Sequence, residues 1–220
     1  QVAAELMNKI FAIGDIHGCF DKLQKLIEKL PVDQQLDTLV FIGDYIDRGS
    51  SSKEVVEYVI ELKDKFHNVV CLTGNHEQMF LNYLAGIDEV MYLYNGGKAT
   101  LVSYGLPAYS PVPERKSAIP PSHLQFFQSL LHYYETEEYI FVHAGLIPGL
   151  SMRRQTVHDL LWVRQDFIYS DYDFGKTVVF GHTPFQSPLI AANKIGIDTG
   201  AFSGGKLTCV ELPDVIIHQV

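Results

Sequence analysis

The sequence predicts an α/β fold in which a parallel β-sheet packs against a second, mixed β-sheet. Two observations predict this class. Five short apolar runs each end beside a glycine in Asp, Asn or His, and stretches with helical spacing separate the first three runs. Nearer the C-terminus, further strand-like runs follow one another across short connections, which are typical of antiparallel pairing.

The first part of the chain predicts a βαβαβ unit followed by a third helix. The strand-like runs are residues 10–13, 39–42 and 69–73, and the helical runs are residues 19–30, 53–66 and about 76–84. Pro31 ends the first of these helices. Right-handed crossovers bring the carboxyl ends of parallel strands to one edge, where we expect the polar residues that follow the strands to meet. These residues are Asp15, His17, Asp44 and Asn75.

Residues 86–121 form a segment of a different character. The segment is rich in tyrosine, glycine and proline and shows no sustained hydrophobic period. A stretch of this length without regular structure is more often a functional rim or cap than a core element, so we expect it to select the substrate. After a helix over residues 122–131, the runs that predict the second sheet are residues 139–143, 177–181, 194–198, 206–211 and 215–218, with antiparallel pairing across residues 203–205.

Composition predicts one globular domain. The 220 residues are 47% hydrophobic, enough for a full core, so we assign residues 1–220 to a single domain with residues 86–121 as a cap or insert. No apolar run reaches the roughly 20 residues of a membrane span, and we expect a cytoplasmic protein without membrane partners. The net charge of -9, without a basic stripe, argues against nucleic acid as a partner.

The cysteines and the first residues need separate interpretation. Cys19, Cys71 and Cys209 are widely spaced and form no CxxC motif, which fits reduced core thiols better than a disulfide framework or a zinc site. Residues 1–6 precede a start-like Met7, and we expect them to be a remnant that does not belong to the natural chain.

The strand-end residues share the chemistry of metal ligands. They lie in five motifs: GDIHG at 14–18, GDYIDRG at 43–49, GNHE at 74–77, HAG at 143–145 and GHTP at 181–184. Carboxylate, imidazole and amide ligands suit divalent Mn, Fe or Zn, whereas the lack of thiolates argues against a structural zinc site. The ligand count is sufficient for two ions that share a bridging carboxylate, an arrangement that serves phosphoester hydrolysis.

These five motifs, in this order, resemble those of metallophosphoesterases of the phosphoprotein phosphatase family, in particular compact bacterial and bacteriophage serine/threonine phosphatases. The resemblance implies the calcineurin-like α/β fold, a four-layer sandwich of two mixed β-sheets packed face to face with flanking helices. It also implies two divalent metal ions, for which we expect Mn, with Fe or Zn as alternatives. One ion would be held by Asp15, His17 and Asp44 and the other by Asp44, Asn75, His143 and His182, with Asp44 as the bridge.

The resemblance further implies roles for four residues that are not ligands. A hydroxide bridging the two ions would attack phosphorus directly, and His76 would protonate the departing alkoxide while Asp47 orients its imidazole. Arg48 and Arg164 would bind the phosphate oxygens through their fork of donors. The alternatives are that Arg48 forms a structural ion pair with Asp47 and that Arg164 lies at a solvated helix end.

The implied activity is hydrolysis of phosphoserine and phosphothreonine monoesters in protein or peptide substrates, with phosphotyrosine also open. The alternative is a dinucleoside tetraphosphate hydrolase of the same fold, in which Tyr83, Tyr92 and Tyr94 become candidates for base stacking. Asp47 favours the phosphatase, because the dinucleoside tetraphosphate hydrolases carry a neutral residue at this position of the motif. A non-catalytic interaction module is disfavoured because all the motif residues are present. The sequence identifies no regulatory subunit.

Overall fold

Two five-stranded β-sheets form the centre of the protein in the computed structural model, which describes residues 8–220. The prediction for residues 1–6 lies outside the described part of the chain. The strands are β1 (Ile10–Ile13), β2 (Thr38–Phe41), β3 (Asn68–Cys71), β4 (Tyr133–Glu135), β5 (Tyr139–Val142), β6 (Thr177–Phe180), β7 (Leu189–Ile190), β8 (Lys194–Gly196), β9 (Thr208–Leu212) and β10 (Ile216–Gln219). The helices are α1 (Phe20–Lys29), α2 (Ser52–Lys65), α3 (Asn75–Leu84), α4 (Glu89–Tyr92), α5 (Lys98–Ser103), α6 (Val112–Ser117), α7 (Pro121–Ser129), α8 (Val157–Trp162) and α9 (Gln165–Ile168).

Each sheet has a parallel centre and antiparallel additions. In the first sheet, β1, β2 and β3 are parallel, and β9 and β10 add antiparallel strands on the other side of β1. In the second sheet, β5, β6 and β8 are parallel, with β4 and β7 antiparallel at the two edges. The predicted βαβαβ unit and the two mixed sheets are therefore confirmed.

One predicted assignment to the sheets is wrong. Residues 206–211 and 215–218 were expected in the second sheet but form β9 and β10 of the first, and residues 203–205 carry the chain between the sheets. The reason is that β1 has an edge that β2 does not occupy. β9 pairs with this edge in antiparallel orientation, with Leu212 opposite Ile10. All five residues of β9 are buried, as expected for a strand inside a sheet.

Alternation along the strands produces four layers. Phe11 and Ile13 of β1 face the helices α1, α2, α3 and α7, whereas Ala12 faces the second sheet. In the second sheet, Phe141 faces the first sheet, and its neighbours in β5 face α8 and α9. The order is helix, sheet, sheet, helix, which confirms the four-layer sandwich.

The helices pack against their sheets through an apolar face, as α1 illustrates. In α1, the side chains Leu23, Leu26 and Ile27 recur at helical spacing and are buried. Burying each of them contributes about 1.5–3 kcal/mol relative to exposure. Within residues 8–220, no helix has both the length and the hydropathy that crossing a bilayer requires.

The sequence predicted that residues 86–121 lack regular structure, and this prediction is wrong. It contains α4, a π-helical turn at Leu93–Gly97, α5 and α6. Elements of four to six residues are too short to show a hydrophobic period. Part of the segment belongs to the core, because Tyr92 is fully buried against the aromatic rings of α3.

Candidate active site

The five motifs meet at one edge of the two sheets, where the parallel strands end. Asp15 and His17 follow β1, Asp44 follows β2, Asn75 and His76 open α3 after β3, His143 follows β5, and His182 follows β6. All of these residues are buried. The structure thus brings together every metal ligand that the sequence proposed.

Asp44 lies at the centre of the cluster. Its Oδ2 is 3.4 Å from Nε2 of His17, and its Oδ1 is 3.4 Å from Nε2 of His143. Its backbone has a φ of 53°, in the left-handed region, and Gly74 lies directly against its carboxylate, where any Cβ would overlap it. Asp44 therefore presents one oxygen to each half of the cluster, as a bridging ligand would.

The tautomers of two histidines follow from their backbone partners. Nδ1 of His17 lies 2.9 Å from the carbonyl oxygen of Ile46, and Nδ1 of His143 lies 2.9 Å from that of Ile42. Carbonyl oxygens only accept hydrogen bonds, so each Nδ1 carries the proton. Burial lowers the pKa of His17 to about 3 and also lowers that of His143, so both rings are neutral and direct an unprotonated Nε2 at Asp44.

This geometry fits metal ions. An unprotonated Nε2 and a carboxylate oxygen are both acceptors, so they repel each other at 3.4 Å unless a cation lies between them. Burial, followed by the charges of Asp198 and Asp44, raises the pKa of Asp15 well above its usual range, because three carboxylates lie close together in a buried site. Bound cations would remove both the repulsion between these acceptor atoms and the cost of burying neighbouring carboxylates.

Asn75 and His182 complete the second half of the cluster. Oδ1 of Asn75 is 2.9 Å from Nε2 of His143 and 3.0 Å from Nδ1 of His182. Within residues 8–220, Nε2 of His182 is the single buried side-chain nitrogen or oxygen without a hydrogen-bond partner. Protein hydrogen bonds therefore do not fully satisfy this ring, as expected of a ligand side chain. The backbone amide of His182 donates to Oδ2 of Asp15 at 3.0 Å, which connects Asp15 to this half of the cluster.

Among residues 8–220, two groups of His and Asp side chains have potential ligand atoms that lie within 4.8 Å of one another inside each group, and both groups contain Asp44. One is Asp44, His143 and His182, as expected. The other joins His17 and Asp44 to His76, whereas the resemblance places Asp15 there. Nε2 of His76 faces a donor, Nη2 of Arg48, and its Nδ1 donates to Asp47, whereas Nε2 of His17 and of His143 face carboxylate oxygens. We therefore keep His76 outside the ligand set.

His76 and Asp47 form a buried pair beside the cluster. Nδ1 of His76 donates to Oδ2 of Asp47 across 2.7 Å. Burial opposes protonation of His76, but the charge of Asp44 and the hydrogen bond to Asp47 outweigh it and raise the pKa of the imidazole. The pair has the geometry of an acid whose ring is oriented by a carboxylate.

Arg48 does not follow its structural alternative, whereas Arg164 is exposed at a helix start, so its alternative of a solvated helix end stays open. Within residues 8–220 no ion pair joins Arg48 to Asp47; instead Nη2 of Arg48 lies 3.3 Å from Nε2 of His76. Arg164, at the start of α9, donates from Nη1 to the carbonyl oxygen of His182 and to Oγ1 of Thr183, at 2.9 and 3.1 Å. Both side chains remain exposed, so their other donors face solvent at the rim of the cluster.

Glu77 is a residue of the site that the sequence analysis did not single out. Its carboxylate accepts from the backbone amides of Asp44 and Tyr45, at 2.9 and 2.8 Å, and from those of Ile46 and Gly74. Four amides on one buried carboxylate fix the loop after β2 against the start of α3. The signal in the sequence was its place in GNHE, directly after two predicted site residues.

A surface groove of about 390 Å³ opens beside Arg48. Phe20 and Phe202 lie in its walls together with residues 49–51.

Known proteins share this sequence pattern and architecture. The family model described as calcineurin-like phosphoesterase matches residues 8–218. A bis(5'-nucleosyl)-tetraphosphatase PrpE of Bacillus cereus is 30% identical over 229 residues, which cover 92% of this chain and 90% of the relative. Serine/threonine-protein phosphatase 1 of Salmonella typhimurium is 30% identical over 216 residues, covering 96% and 95%.

A solved structure shows the same architecture. The crystal structure of a candidate diadenosine tetraphosphatase superposes with a TM-score of 0.74, covering 99% of this chain and 95% of that one, at 22% sequence identity. At this identity the likeness concerns the fold alone.

Proposed function

The chain belongs to the calcineurin-like phosphoesterase family, and we propose that within this family it is a metal-dependent phosphoprotein phosphatase acting on phosphoserine and phosphothreonine. Phosphoester hydrolysis is the general activity of the family. Our more specific proposal concerns the leaving group, which in these substrates is the alkoxide of a serine or threonine side chain. We propose phosphorylated proteins or peptides as the partners of the site.

The ligands proposed for two divalent ions, Mn or alternatively Fe or Zn, are Asp15, His17, Asp44, Asn75, His143 and His182. When bound, such ions lower the pKa of coordinated water and neutralise phosphate charge. The neutral rings of His17 and His143 and the carboxylate of Asp44 match this task, since metal ligands must be unprotonated.

The observation that carries the proposal is the hydrogen bond between His76 and Asp47. An alkoxide is a poor leaving group and needs a proton as the P–O bond breaks, which an oriented imidazole supplies. In a dinucleoside polyphosphate the leaving group is a phosphate anion, which is stable without that proton. A buried and oriented acid therefore supports alkyl phosphomonoesters as substrates.

The arginines support binding of a phosphate dianion. Arg48 donates to Nε2 of His76 in the free site, and that nitrogen must carry a proton before it can act as an acid. A phosphate accepting from Arg48 would draw the guanidinium from His76 and free Nε2 for protonation. Arg164 would hold a second phosphate oxygen with the donors that His182 and Thr183 do not use.

The test is a comparison of kcat/KM for a short phosphothreonine peptide and for diadenosine tetraphosphate, with the Mn-loaded protein. We expect the peptide to be hydrolysed faster, and the His76→Ala variant to lose peptide turnover while retaining most turnover of the dinucleotide. Faster hydrolysis of the dinucleotide by the wild-type protein would contradict the proposal.

A dinucleoside tetraphosphate hydrolase is the second candidate function. The relative named bis(5'-nucleosyl)-tetraphosphatase matches this chain at the same 30% identity as the serine/threonine phosphatase, which favours neither. The suggestion that Tyr83 and Tyr92 stack bases is wrong, because both rings are fully buried in the core. Tyr94, which is 88% exposed, remains a candidate.

A further inference from the structure

The segment from Tyr92 to Thr100 reaches the acid pair at Asp47, the carboxylate partner of His76. It comprises the end of α4, the π-helical turn and the start of α5. Tyr92 and Thr100 are both fully buried, and both direct a hydroxyl at Asp47. We call residues 92–100 the supporting segment.

The carboxylate of Asp47 is divided between His76 and this segment. Oδ2 accepts from Nδ1 of His76, whereas Oδ1 accepts from the hydroxyl of Tyr92 at 2.9 Å and from that of Thr100 at 2.6 Å. Two donors on Oδ1 prevent the carboxylate from rotating about its Cβ–Cγ bond. The oxygen facing His76 is thereby held in the direction of the imidazole.

Thr100 also holds the backbone of Asp47. Its Oγ1 accepts from the amide of Asp47 at 2.8 Å, and Oγ of Ser52 lies 3.1 Å from the same amide. Asp47 has a φ of 71° and Arg48 a φ of 68°, so two consecutive residues occupy the left-handed region that non-glycine residues disfavour. Such a conformation persists only where surrounding contacts hold it.

The supporting segment holds Arg48 as well. The amide of Arg48 donates to the carbonyl oxygen of Gly96 at 3.2 Å. Gly96 has a φ of 98°, and a Cβ there would lie 2.9 Å from Cγ of Arg48. The turn approaches so closely because this position has no side chain.

We propose that Tyr92 and Thr100 are positioning residues that act through Asp47 on His76. The inference rests on the proposed function, in which His76 protonates the leaving group. It gives residues 86–121 a part in proton transfer as well as the predicted part in substrate selection. The two hydroxyls hold Asp47, and Asp47 holds the imidazole that faces the departing oxygen.

Tyr83 offers a matched control for Tyr92. It is also a fully buried tyrosine, its ring lies 5.1 Å from that of Tyr92, and its hydroxyl donates to the carbonyl oxygen of Ala108 at 2.9 Å. Tyr83→Phe and Tyr92→Phe therefore each remove one hydrogen-bonded hydroxyl from the same aromatic cluster. Of these two hydroxyls, only that of Tyr92 donates to Asp47.

The experiment compares a phosphothreonine peptide, which needs leaving-group protonation, with p-nitrophenyl phosphate, which does not. We expect Tyr92→Phe and Thr100→Val in the Mn-loaded full chain to lower kcat for the peptide about tenfold, part of the 10²–10⁴ that general acids contribute. Turnover of p-nitrophenyl phosphate should change less than about twofold. Thr100→Ser keeps the hydroxyl and should restore peptide turnover, and Tyr83→Phe should show no difference between substrates.

Two results would overturn the inference. One is an equal loss on both substrates in Tyr92→Phe and Thr100→Val; the other is the same substrate-dependent loss in Tyr83→Phe. If His76→Ala shows the substrate-dependent loss and Tyr92→Phe does not, the inference fails and the proposed function stands. A wild-type protein without turnover of the peptide contradicts the proposed function, and the inference with it. Thermal unfolding of both Phe variants checks that they lose comparable stability.

Discussion

The strand-end loops and the supporting segment both contact the Asp47–His76 pair, but the sequence identifies only the first of them. The loops carry Asp, His and Asn beside glycines at the ends of five strand-like runs, a repeated pattern of side chains that bind metal ions. The supporting segment contributes a tyrosine and a threonine, which occur throughout cores and helices. Their role appears only when the fold places their hydroxyls on Asp47.

The difference teaches that groups which react and groups which position them leave different traces. A metal ligand must be one of a few side chains, so its identity is visible in the sequence. A positioning group needs only a donor at the correct place, which many residues supply. The expected effects of substitution should follow the same division, with large losses at the loops and smaller, substrate-dependent losses in the segment.

The largest effect should come from Asp44→Asn. The change removes the charge that faces both His17 and His143, so we expect bound Mn to fall below one ion per chain. Turnover should fall by about three orders of magnitude, because metal ions contribute several kcal/mol to such reactions. Metal analysis and kcat measure the two effects. Asp64→Asn, at an exposed position of α2, is the control, and full metal content with normal turnover in Asp44→Asn would refute the bridging role.

His76→Ala should separate acid from ligand. We expect the variant to bind the same number of metal ions and to lose about 10²-fold in kcat on a phosphothreonine peptide. The exposed His67 provides the control His67→Ala. Loss of metal from His76→Ala would instead place this ring in the ligand set, as its distance from His17 and Asp44 allows.

Arg48→Lys tests whether fork geometry matters at the rim. A lysine keeps the charge but offers no planar pair of donors, so we expect kcat/KM for the peptide to fall about tenfold. Arg154→Lys, at an exposed arginine outside the site, should have no effect. Unchanged kcat/KM in Arg48→Lys would show that phosphate binding there needs charge alone.

Tyr94→Ser should give the smallest effect. This side chain is 88% exposed in the segment expected to select the substrate, so its loss should alter recognition without altering the core. We expect kcat/KM for the peptide to fall about threefold, or ~0.6 kcal/mol, with p-nitrophenyl phosphate unaffected. Tyr169→Ser, at a tyrosine that is 80% exposed elsewhere, is the control. Equal changes on both substrates would argue against selection by this surface.

Much of the fold followed from local patterns, and the exceptions have physical causes. The apolar runs before Asp15 and Asp44 predicted parallel strands correctly, because burial on both faces leaves a continuous hydrophobic signal. The sheet to which β9 belongs depends on the free edge of β1, nearly two hundred residues earlier, and no local pattern contains that information. The short helices of residues 86–121 were missed because one turn has no period.

The candidate site divides in the same way. The proposed ligands, His76 and both arginines were named from the sequence, and the structure brings the ligands and His76 together. The partners of Arg48 were not predictable, since the contact with His76 depends on two consecutive left-handed residues. No pattern in the sequence indicated Tyr92 as a partner of Asp47, to which its hydroxyl donates.

The most direct test of the account is a crystal structure of the Mn-loaded protein with anomalous scattering recorded at the Mn edge. We expect two anomalous peaks per chain, roughly 3.5–4 Å apart, with Asp44 as a ligand common to both. Asp15 and His17 should contact one ion, and Asn75, His143 and His182 the other. A single peak, or two peaks without a shared Asp44, would contradict the dinuclear site on which the proposed chemistry depends.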